Sequence, residues 1–240
     1  MVGSVTLNYF GVIWSFIMPP RQIRNTREFA DLLKKEGQLV TVNTEVDPNL
    51  ELAEIHRRVA AANGPAILFN KVTGSSFPVI TNMFGSKKRI ELAFGKQPTD
   101  FVKRLCRIPQ EIPRKGLKIL WENKEIGVRL AKMGTKKRRF SRSPIKMNKI
   151  STSKGLNALP ALTSWPEDGG PFLTLPLVHT RHPLDGGDNL GMYRVQIFSE
   201  KETGMHFQIH KGGGFHLLES EKIKKDLDVN IYLGGPPALT

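Results

Sequence analysis

The sequence predicts an α+β protein in which a small α/β layer domain is followed by a β-rich domain that opens as a meander or barrel. Two observations support this fold class. Between residues 21 and 95, helical periodicity alternates with short apolar runs, as expected for helices layered on a small sheet. From Leu159 onward, strand-like segments separated by turn-rich stretches replace that pattern. The two textures indicate two domains of different construction.

The predicted α/β domain begins with a helix that Asn25 or Thr26 caps and that Gly37 ends. Apolar residues that recur at intervals of three and four predict a second helix. It starts after Asp47-Pro48 and ends near Asn63-Gly64. Short apolar runs predict the strands of this domain, the first of them at a sheet edge: Leu39 to Val42, Ala66 to Phe69 and Val79 to Thr81.

The second domain contains three strand candidates, which are Phe172 to His179, Met192 to Phe198 and Met205 to His210. Turn-forming residues from Pro183 to Asn189 predict the connection between the first two. An amphipathic stretch, Glu219 to Asp228, and an apolar run, Val229 to Leu233, follow before the glycine- and proline-rich end.

The net charge of +14 is concentrated in one segment. Residues 101–154 contain 17 Lys and Arg against three acidic residues, which equals the whole surplus. Such a segment can bind nucleic acid or anionic lipid headgroups through counterion release, or it can be a solvated surface. Few aromatic residues are interleaved with the cations for base stacking, so nucleic-acid binding is disfavoured. Helical stretches broken by Pro109, Pro113 and Gly116 indicate a linker region.

These patterns divide the chain into an α/β domain at 18–100, a basic linker or helical segment at 101–155 and a β-rich domain at 156–240. Residues 1–17 are expected to be an upstream extension, and either Met1 or Met18 fits as the start. Polar residues interrupt this apolar stretch and no cation precedes it, which argues against a transmembrane helix and a signal peptide. The single cysteine, Cys106, permits no intramolecular disulfide, so a cytoplasmic location is expected.

Several catalytic and nucleotide-binding signatures are absent from the sequence. It contains no HExxH, no GxSxG and no GxxxxGK[ST], and its glycine run lacks the third glycine of a Rossmann fingerprint. Zincin-type and serine hydrolases are therefore disfavoured. The run Lys211-Gly212-Gly213-Gly214 offers unhindered backbone N–H groups and a cation, which suit a phosphate, although the glycines can equally mark a tight turn.

Polar residues that can carry chemistry crowd into the last third of the chain. Barrel strands with polar turns also collect such residues, so the crowding alone assigns no role. The histidines of this region are His179, His182, His206, His210 and His216, and the other candidates are Asp185, Asp188, Asn189, Arg194 and Lys211.

Two stretches resemble signatures of the UbiD decarboxylase family, of the 3-octaprenyl-4-hydroxybenzoate carboxy-lyase type. They are Trp165 to Phe172, which reads WPEDGGPF, and Asn189 to Gln196, which reads NLGMYRVQ. The similarity continues through Gln208 to Gly213 and Gly234 to Ala238. The α/β domain from Met18 also resembles that of the family, so the resemblance covers nearly the whole chain.

The resemblance implies that the second domain is a split β-barrel that binds prenylated FMN, whose phosphate is clamped by a divalent metal, usually Mn2+. By motif position, Asn189 and His210 resemble metal-binding residues, and an amide oxygen is a hard donor that suits Mn2+. The residues that the resemblance places around the cofactor or its phosphate are Met192, Tyr193, Arg194, His206, Phe207, Gln208, Lys211 and Gly212.

Arg194 is the catalytic residue that the resemblance implies, since a guanidinium can hold a substrate carboxylate bidentately. In the alternative structural roles, Arg194 pairs with an acid and Asn189 caps a turn. The expected reaction is non-oxidative decarboxylation of an aromatic or α,β-unsaturated acid. A prenylated 4-hydroxybenzoate of ubiquinone or menaquinone synthesis is the favoured substrate.

Members of this family are longer than the present chain. The split β-barrel is therefore expected to be incomplete here, with the general acid and the third metal ligand beyond Thr240. The expected partners are the aromatic acid substrate, a flavin prenyltransferase as cofactor source, a second copy of the chain in the full-length family, and anionic membrane at the basic segment. Two alternatives stay open: an inactive cofactor-binding remnant, and a basic protein that binds nucleic acid or an anionic surface.

Overall fold

A computed structural model describes residues 23–95, 98–116, 118–124, 153–208 and 210–239. These residues divide into two compact units, one made of the described residues up to Phe94 and from residue 153 onward, the other of those between Gly95 and residue 124. The domain boundaries expected at 100 and 155 stay a prediction. The expected upstream extension and the basic run Lys136 to Arg139 lie outside the described residues.

The first unit begins with a three-stranded sheet and three helices. Its elements are α1 (Thr26–Lys35), β1 (Leu39–Val46), α2 (Glu51–Ala61), β2 (Ala66–Val72), β3 (Val79–Thr81) and α3 (Lys87–Phe94). β1 pairs parallel with β2, and β3 pairs antiparallel with β2, so β1 lies at the sheet edge as predicted. Asn25 caps α1 as predicted, because its Oδ1 accepts from the Glu28 N–H at 2.9 Å.

Two apolar clusters hold the helices on this sheet. Phe69 of β2 clusters with Leu52 of α2, whereas Ala66 clusters with Phe29 of α1. Because side chains alternate along a strand, β2 supplies both clusters. Leu162, which lies far downstream in the sequence, also belongs to the α2 cluster. The segment that leads into the second half of the chain is therefore part of the N-terminal core.

The downstream half contains two further antiparallel sheets. Its elements are a 3-10 helix (Gly155–Ala158), β4 (Phe172–Leu173), β5 (Leu177–Arg181), β6 (Asp188–Met192), β7 (Val195–Ile197), β8 (Thr203–Met205), α6 (Gly212–Lys222) and β9 (Val229–Tyr232). One sheet has the order β6-β5-β9 and the other β4-β7-β8. Val178, Tyr193 and Val195 form the apolar cluster of this half with neighbouring side chains.

The strand predictions for this half need three corrections. The predicted strand Phe172 to His179 is interrupted at residues 174–176, where Pro176 has no N–H for a strand ladder, and its two parts, β4 and β5, belong to different sheets. The predicted strand Met192 to Phe198 divides at Tyr193-Arg194, because β6 and β7 belong to different sheets. Among the described residues of Met205 to His210, only Met205 lies in a strand, and α6 begins well before the predicted amphipathic stretch.

The second unit contains α4 (Pro98–Lys115) and α5 (Lys118–Glu122). Pro109 and Pro113 lie inside α4, so the prediction that they break the helix is wrong. Each proline removes one backbone hydrogen bond, and the bonds on either side continue the 18-residue helix. The helix ends before Gly116, whose φ of +58° suits glycine, as predicted. Among the described residues, no helix combines the length and the apolar character needed to cross a bilayer.

Candidate active site at the start of helix α6

The hairpin of β5 and β6 positions Asn189. In the antiparallel register Asn189 lies directly opposite Thr180, and opposed residues project to the same face of a sheet. The Asn189 Nδ2 donates to Thr180 Oγ1 at 3.3 Å. Because this bond uses the amide nitrogen, the Asn189 Oδ1 is left for a different partner.

The Asn189 amide packs against the first residue of α6. A Cβ added at Gly212 would overlap the Asn189 Oδ1 and lie 2.8 Å from its Cγ, so the close approach requires glycine. Lys211 is the N-cap residue of α6 and makes no side-chain capping hydrogen bond. The amide oxygen thus lies at a helix N-terminus, where backbone N–H groups and the helix dipole favour an anion.

Tyr193 and Phe207 hold the next residue of the helix. The Tyr193 hydroxyl accepts from the Gly213 N–H at 2.9 Å, and its buried ring meets the Phe207 ring edge-on at a centroid distance of 5.0 Å. A Cβ at Gly213 would lie 2.6 Å from the Phe207 ring and 2.9 Å from the Tyr193 hydroxyl. Four of the expected site residues therefore surround the start of α6: Asn189, Tyr193, Phe207 and Gly212.

Arg194 joins the two sequence motifs through Asp168. Its Nη2 donates to Asp168 Oδ2 at 2.6 Å, and its guanidinium carbon lies 3.5 Å from the centroid of the Phe172 ring. The hydrogen bond from Arg194 holds the pKa of the Asp168 carboxyl below its ordinary value. A guanidinium has five N–H donors, so this bond leaves capacity for a second carboxylate. The Arg194 side chain is 43% exposed and accessible to one.

The other expected cofactor and metal residues lie at the surface. Met192 ends β6 and is exposed, and the exposed residues between β8 and α6 are His206, Gln208, His210 and Lys211. Within the described ranges, no group of three or more His, Cys, Asp or Glu side chains could hold a metal ion. The expected metal pair of Asn189 and His210 stays a prediction.

Two buried residues beside Asn189 received no role from the sequence patterns. Thr180 Oγ1 lies 2.9 Å from His216 Nδ1, and the His216 ring meets the His182 ring edge-on at 5.1 Å. Burial lowers the pKa of the His216 imidazole, and the neighbouring His182 lowers it further. A hairpin register drawn across Pro183 to Asn189 could have indicated Thr180. No local pattern could have indicated His216, because its contact depends on where α6 docks.

Two family models match most of the described chain. The family model described as the 3-octaprenyl-4-hydroxybenzoate carboxy-lyase Rift-related domain matches residues 136–240, and that of the N-terminal domain of this carboxy-lyase matches residues 30–108. The chain belongs to the UbiD family. The family resemblance of the two motifs is confirmed.

Curated UbiD relatives are similar over most of this chain. A Chlamydia pneumoniae protein, named as one of the subunits of 4-hydroxybenzoate decarboxylase, is 48% identical over 215 residues, which cover 89% of this chain and 36% of the relative. An uncharacterized protein of Aquifex aeolicus is 34% identical over 223 residues, which cover 90% of this chain and 45% of the relative. This UbiD chain thus spans less than half the length of these curated relatives.

Solved structures share the fold of this UbiD chain. Vanillic acid decarboxylase of Sedimentibacter hydroxybenzoicus in closed form gives a TM-score of 0.74 at 25% identity, covering 91% of this chain and 44% of that one. An evolved dimeric form of the UbiD-class enzyme HmfF from Pelotomaculum thermopropionicum, in complex with prFMN, gives 0.71 at 21% identity, covering 89% and 45%. The predicted α+β fold class is confirmed.

Proposed function

We propose that this chain forms part of a decarboxylase that removes CO2 from an aromatic or α,β-unsaturated acid. The observation that carries the proposal is the Asn189 amide packed against the glycine start of α6. A phosphate at that helix N-terminus would meet backbone N–H groups, and a metal beside it would meet the Asn189 Oδ1, a hard oxygen donor. The names of two relatives, one belonging to a 4-hydroxybenzoate decarboxylase and one to a vanillic acid decarboxylase, support an aromatic hydroxy acid as substrate.

The residues present fit prenylated FMN and a divalent metal such as Mn2+. Gly212 leaves room where a Cβ would overlap the Asn189 amide, Lys211 places a cation beside the helix start, and His210 is the second proposed ligand. When bound, prenylated FMN supplies the electron sink for the loss of CO2. The proposed lining residues of the cofactor are Met192, Tyr193, His206, Phe207 and Gln208.

Arg194 is the proposed binding group for the substrate carboxylate. Its hydrogen bond to Asp168 and its position over the Phe172 ring hold the guanidinium in one orientation before substrate arrives. A planar guanidinium that is already oriented loses less freedom on gripping a carboxylate bidentately. In this proposal Asp168 positions Arg194, and Arg194 orients the acid for loss of CO2.

The first test is cofactor loading. The chain would be coexpressed with a flavin prenyltransferase, the proposed source of the cofactor, and its ultraviolet-visible spectrum and metal content would be recorded. We expect bound flavin with one Mn per chain in the parent protein, and loss of the metal in Asn189→Ala. Asn230→Ala, an exposed position on β9, is the matched control and should retain both. A colourless, metal-free parent protein contradicts the proposal.

The second test is the reaction itself. Loaded protein would be assayed for CO2 release from 4-hydroxybenzoate, vanillate and a prenylated 4-hydroxybenzoate. Preference for the prenylated acid would support a role in ubiquinone or menaquinone synthesis. Loaded protein that releases CO2 from none of them would support the alternative of a cofactor-binding remnant. A second copy of the chain, suggested by the dimeric HmfF relative, would be tested by light scattering on the same samples.

A second candidate function is contact with an anionic membrane through α4. The apolar residues Leu105, Ile108 and Ile112 recur along one side of this helix, and the exposed cations Lys103, Arg107 and Arg114 lie on the opposite side. We propose that this helix lies on anionic lipid, which would bring the chain to the membrane if its substrate carries a prenyl tail. Sedimentation with phosphatidylglycerol vesicles should fall in a Lys103→Glu, Arg107→Glu double variant. Equal binding to neutral vesicles would contradict it, and salt-sensitive binding to nucleic acid alone would favour the nucleic-acid alternative.

A further inference from the structure

A buried chain of hydrogen bonds connects α6 to the far side of the Asn189 amide. It begins at His216 on α6, passes through the Thr180 hydroxyl on β5 at 2.9 Å and reaches the Asn189 Nδ2 at 3.3 Å. Thr180 is fully buried and His216 is 8% exposed. Asn189, at the other end, is half-buried. Buried polar groups such as Thr180 and His216 hold a defined geometry when they bond to each other, because water cannot readily substitute for a missing partner.

The donors and acceptors in this chain have a direction. A hydroxyl donates one hydrogen and accepts through its oxygen, so the Thr180 oxygen that accepts from Asn189 Nδ2 has its hydrogen available for His216 Nδ1. Nδ1 can accept only in the Nε2–H tautomer of a neutral imidazole, and burial favours the neutral form. With the proton of the neutral ring on Nε2, His216 Nδ1 accepts from the Thr180 hydroxyl, and this order of donors places the Asn189 nitrogen toward Thr180 and its oxygen toward Gly212.

We propose that Thr180 and His216 are positioning residues that fix the Asn189 amide with its oxygen toward the N-terminus of α6. The inference rests on the proposed function, in which that oxygen faces the metal and the cofactor phosphate. The opposite amide orientation would place an NH2 group against backbone N–H donors and would present no ligand to a cation. Because His216 lies on α6 itself, the helix that offers its N-terminus to the phosphate also sets the orientation of the asparagine.

Matched substitutions distinguish the effect of losing the Thr180 hydroxyl or the His216 acceptor from the effect of altered packing. Thr180→Val keeps the shape and removes the hydroxyl, whereas Thr180→Ser keeps the hydroxyl. His216→Leu removes the acceptor, whereas His216→Asn retains an acceptor near the position of Nδ1. Thr174→Val makes the same substitution at an exposed position outside this network, so it is the control for replacing a threonine by a valine.

The first readout needs no cofactor. The side-chain NH2 signal of Asn189 in a nitrogen–proton correlation spectrum would be assigned by its loss in Asn189→Ala, and its hydrogen exchange would be measured in each variant. We expect slow exchange in the parent, Thr180→Ser and Thr174→Val proteins. Exchange should accelerate at least tenfold in Thr180→Val and His216→Leu, while far-ultraviolet circular dichroism stays unchanged.

The second readout is the affinity for FMN with and without Mn2+. Loss of a residue that orients a metal ligand costs about 10- to 100-fold in metal affinity. We therefore expect Thr180→Val to lose that much of the Mn2+-dependent gain in FMN binding and to keep its metal-free FMN affinity. Thr180→Ser and His216→Asn should restore most of the gain.

The outcomes distinguish the two proposals. A parent protein whose FMN affinity does not respond to Mn2+ overturns the proposed function, and the exchange of the Asn189 amide then tests the hydrogen-bond chain alone. A parent protein that responds to Mn2+, with a Thr180→Val variant that responds equally and an Asn189 amide equally protected, overturns the positioning role. A Thr180→Val variant that loses FMN affinity equally with and without Mn2+ shows a packing effect and overturns it as well.

Discussion

Two contacts of Arg194 fit both a structural role and its proposed role in binding the substrate carboxylate. It donates to Asp168 and lies over Phe172, and its side chain remains 43% exposed. Arg194→Lys keeps a cation for Asp168 and removes the planar fork that can hold a carboxylate bidentately. We expect the midpoint of thermal unfolding to stay near that of the parent, while kcat/KM for decarboxylation by the loaded protein falls about 100-fold.

A different result would show that Arg194 has a structural role only. A lysine variant that unfolds at a much lower temperature, with kcat per folded molecule unchanged, would show that Arg194 serves only to join the two motifs. Gln196, whose amide donates to the Gly169 carbonyl at 2.6 Å, provides the control. Gln196→Ala weakens the same junction between the motifs without touching the guanidinium, so it should lower stability and leave kcat near the parent value.

Protonation of Asp168 is expected to lower the stability of the fold at acidic pH. Because its folded-state pKa lies below the ordinary value, the Arg194 pair stabilises the fold above the ordinary Asp pKa of about 3.9 and is lost as pH falls through the lower folded value. Asp168→Asn should therefore flatten the decline in stability below about pH 4 and lower stability at pH 7. Thermal unfolding from pH 3 to pH 7 measures this, and a variant with an unchanged acid-side slope would contradict it.

The residues around Asn189 show what a sequence can supply about a site. Asn189, Tyr193 and Gly212 were expected from motif positions, and the structure places them together at the start of α6. Thr180 was not expected, and His216 was named only among the candidate histidines with no role, because a threonine in a strand and a histidine in a helix carry no local signal. Their contact joins positions 36 residues apart and exists only after β5 and α6 have docked.

At the level of elements, the first turn of α6 depends on Gly212. Alanine favours a helix interior over glycine by about 1 kcal/mol, so Gly212→Ala would ordinarily stabilise α6. Here its Cβ would overlap the Asn189 amide, and all three of the nearest atoms belong to Asn189. We expect Gly212→Ala to lower stability in the parent protein and to raise it in an Asn189→Ala background, where only the residue 189 Cβ at 3.5 Å remains.

Thermal unfolding of the four proteins in this cycle checks the change of sign. The same destabilisation in both backgrounds would show that the new methyl group meets an obstacle other than the Asn189 amide. Mn2+-dependent FMN binding should be lost in both single variants and should not return in the double variant, because the proposed ligand is then absent.

The sequence predicted the strands of the N-terminal sheet more accurately than those of the downstream half. In the N-terminal sheet the observed strands start where the apolar runs start, because each run there serves one strand. In the downstream half one apolar run can serve two sheets, as β6 and β7 do on either side of Tyr193-Arg194. Alternation of apolar residues reports that a strand is half buried and does not report which sheet it joins.

In the whole molecule, hydrogen bonds to backbone carbonyls join the two halves of the first unit. The Leu50 N–H donates to the Thr163 carbonyl at 2.9 Å, and the Ser75 hydroxyl donates to the Ala158 carbonyl at 2.8 Å. At the other end, the Thr26 N–H donates to the Gly234 carbonyl at 3.1 Å. The site around α6 is thus carried by strands whose flanking segments are fixed to the N-terminal domain.

A substitution at Leu162 tests whether the stabilities of the two halves are coupled. It is 9% exposed, lies in the cluster of Leu52 and Phe69, and precedes the motif that contains Asp168. Leu162→Ala should cost about 2–5 kcal/mol and accelerate hydrogen exchange in β2 as well as in β4. Leu173→Ala, a similarly buried position in the other cluster, should accelerate exchange in β4 and β7 and leave β2 protected. If Leu162→Ala left β2 fully protected, the two halves would be independent folding units, since a shared core cannot lose one side alone.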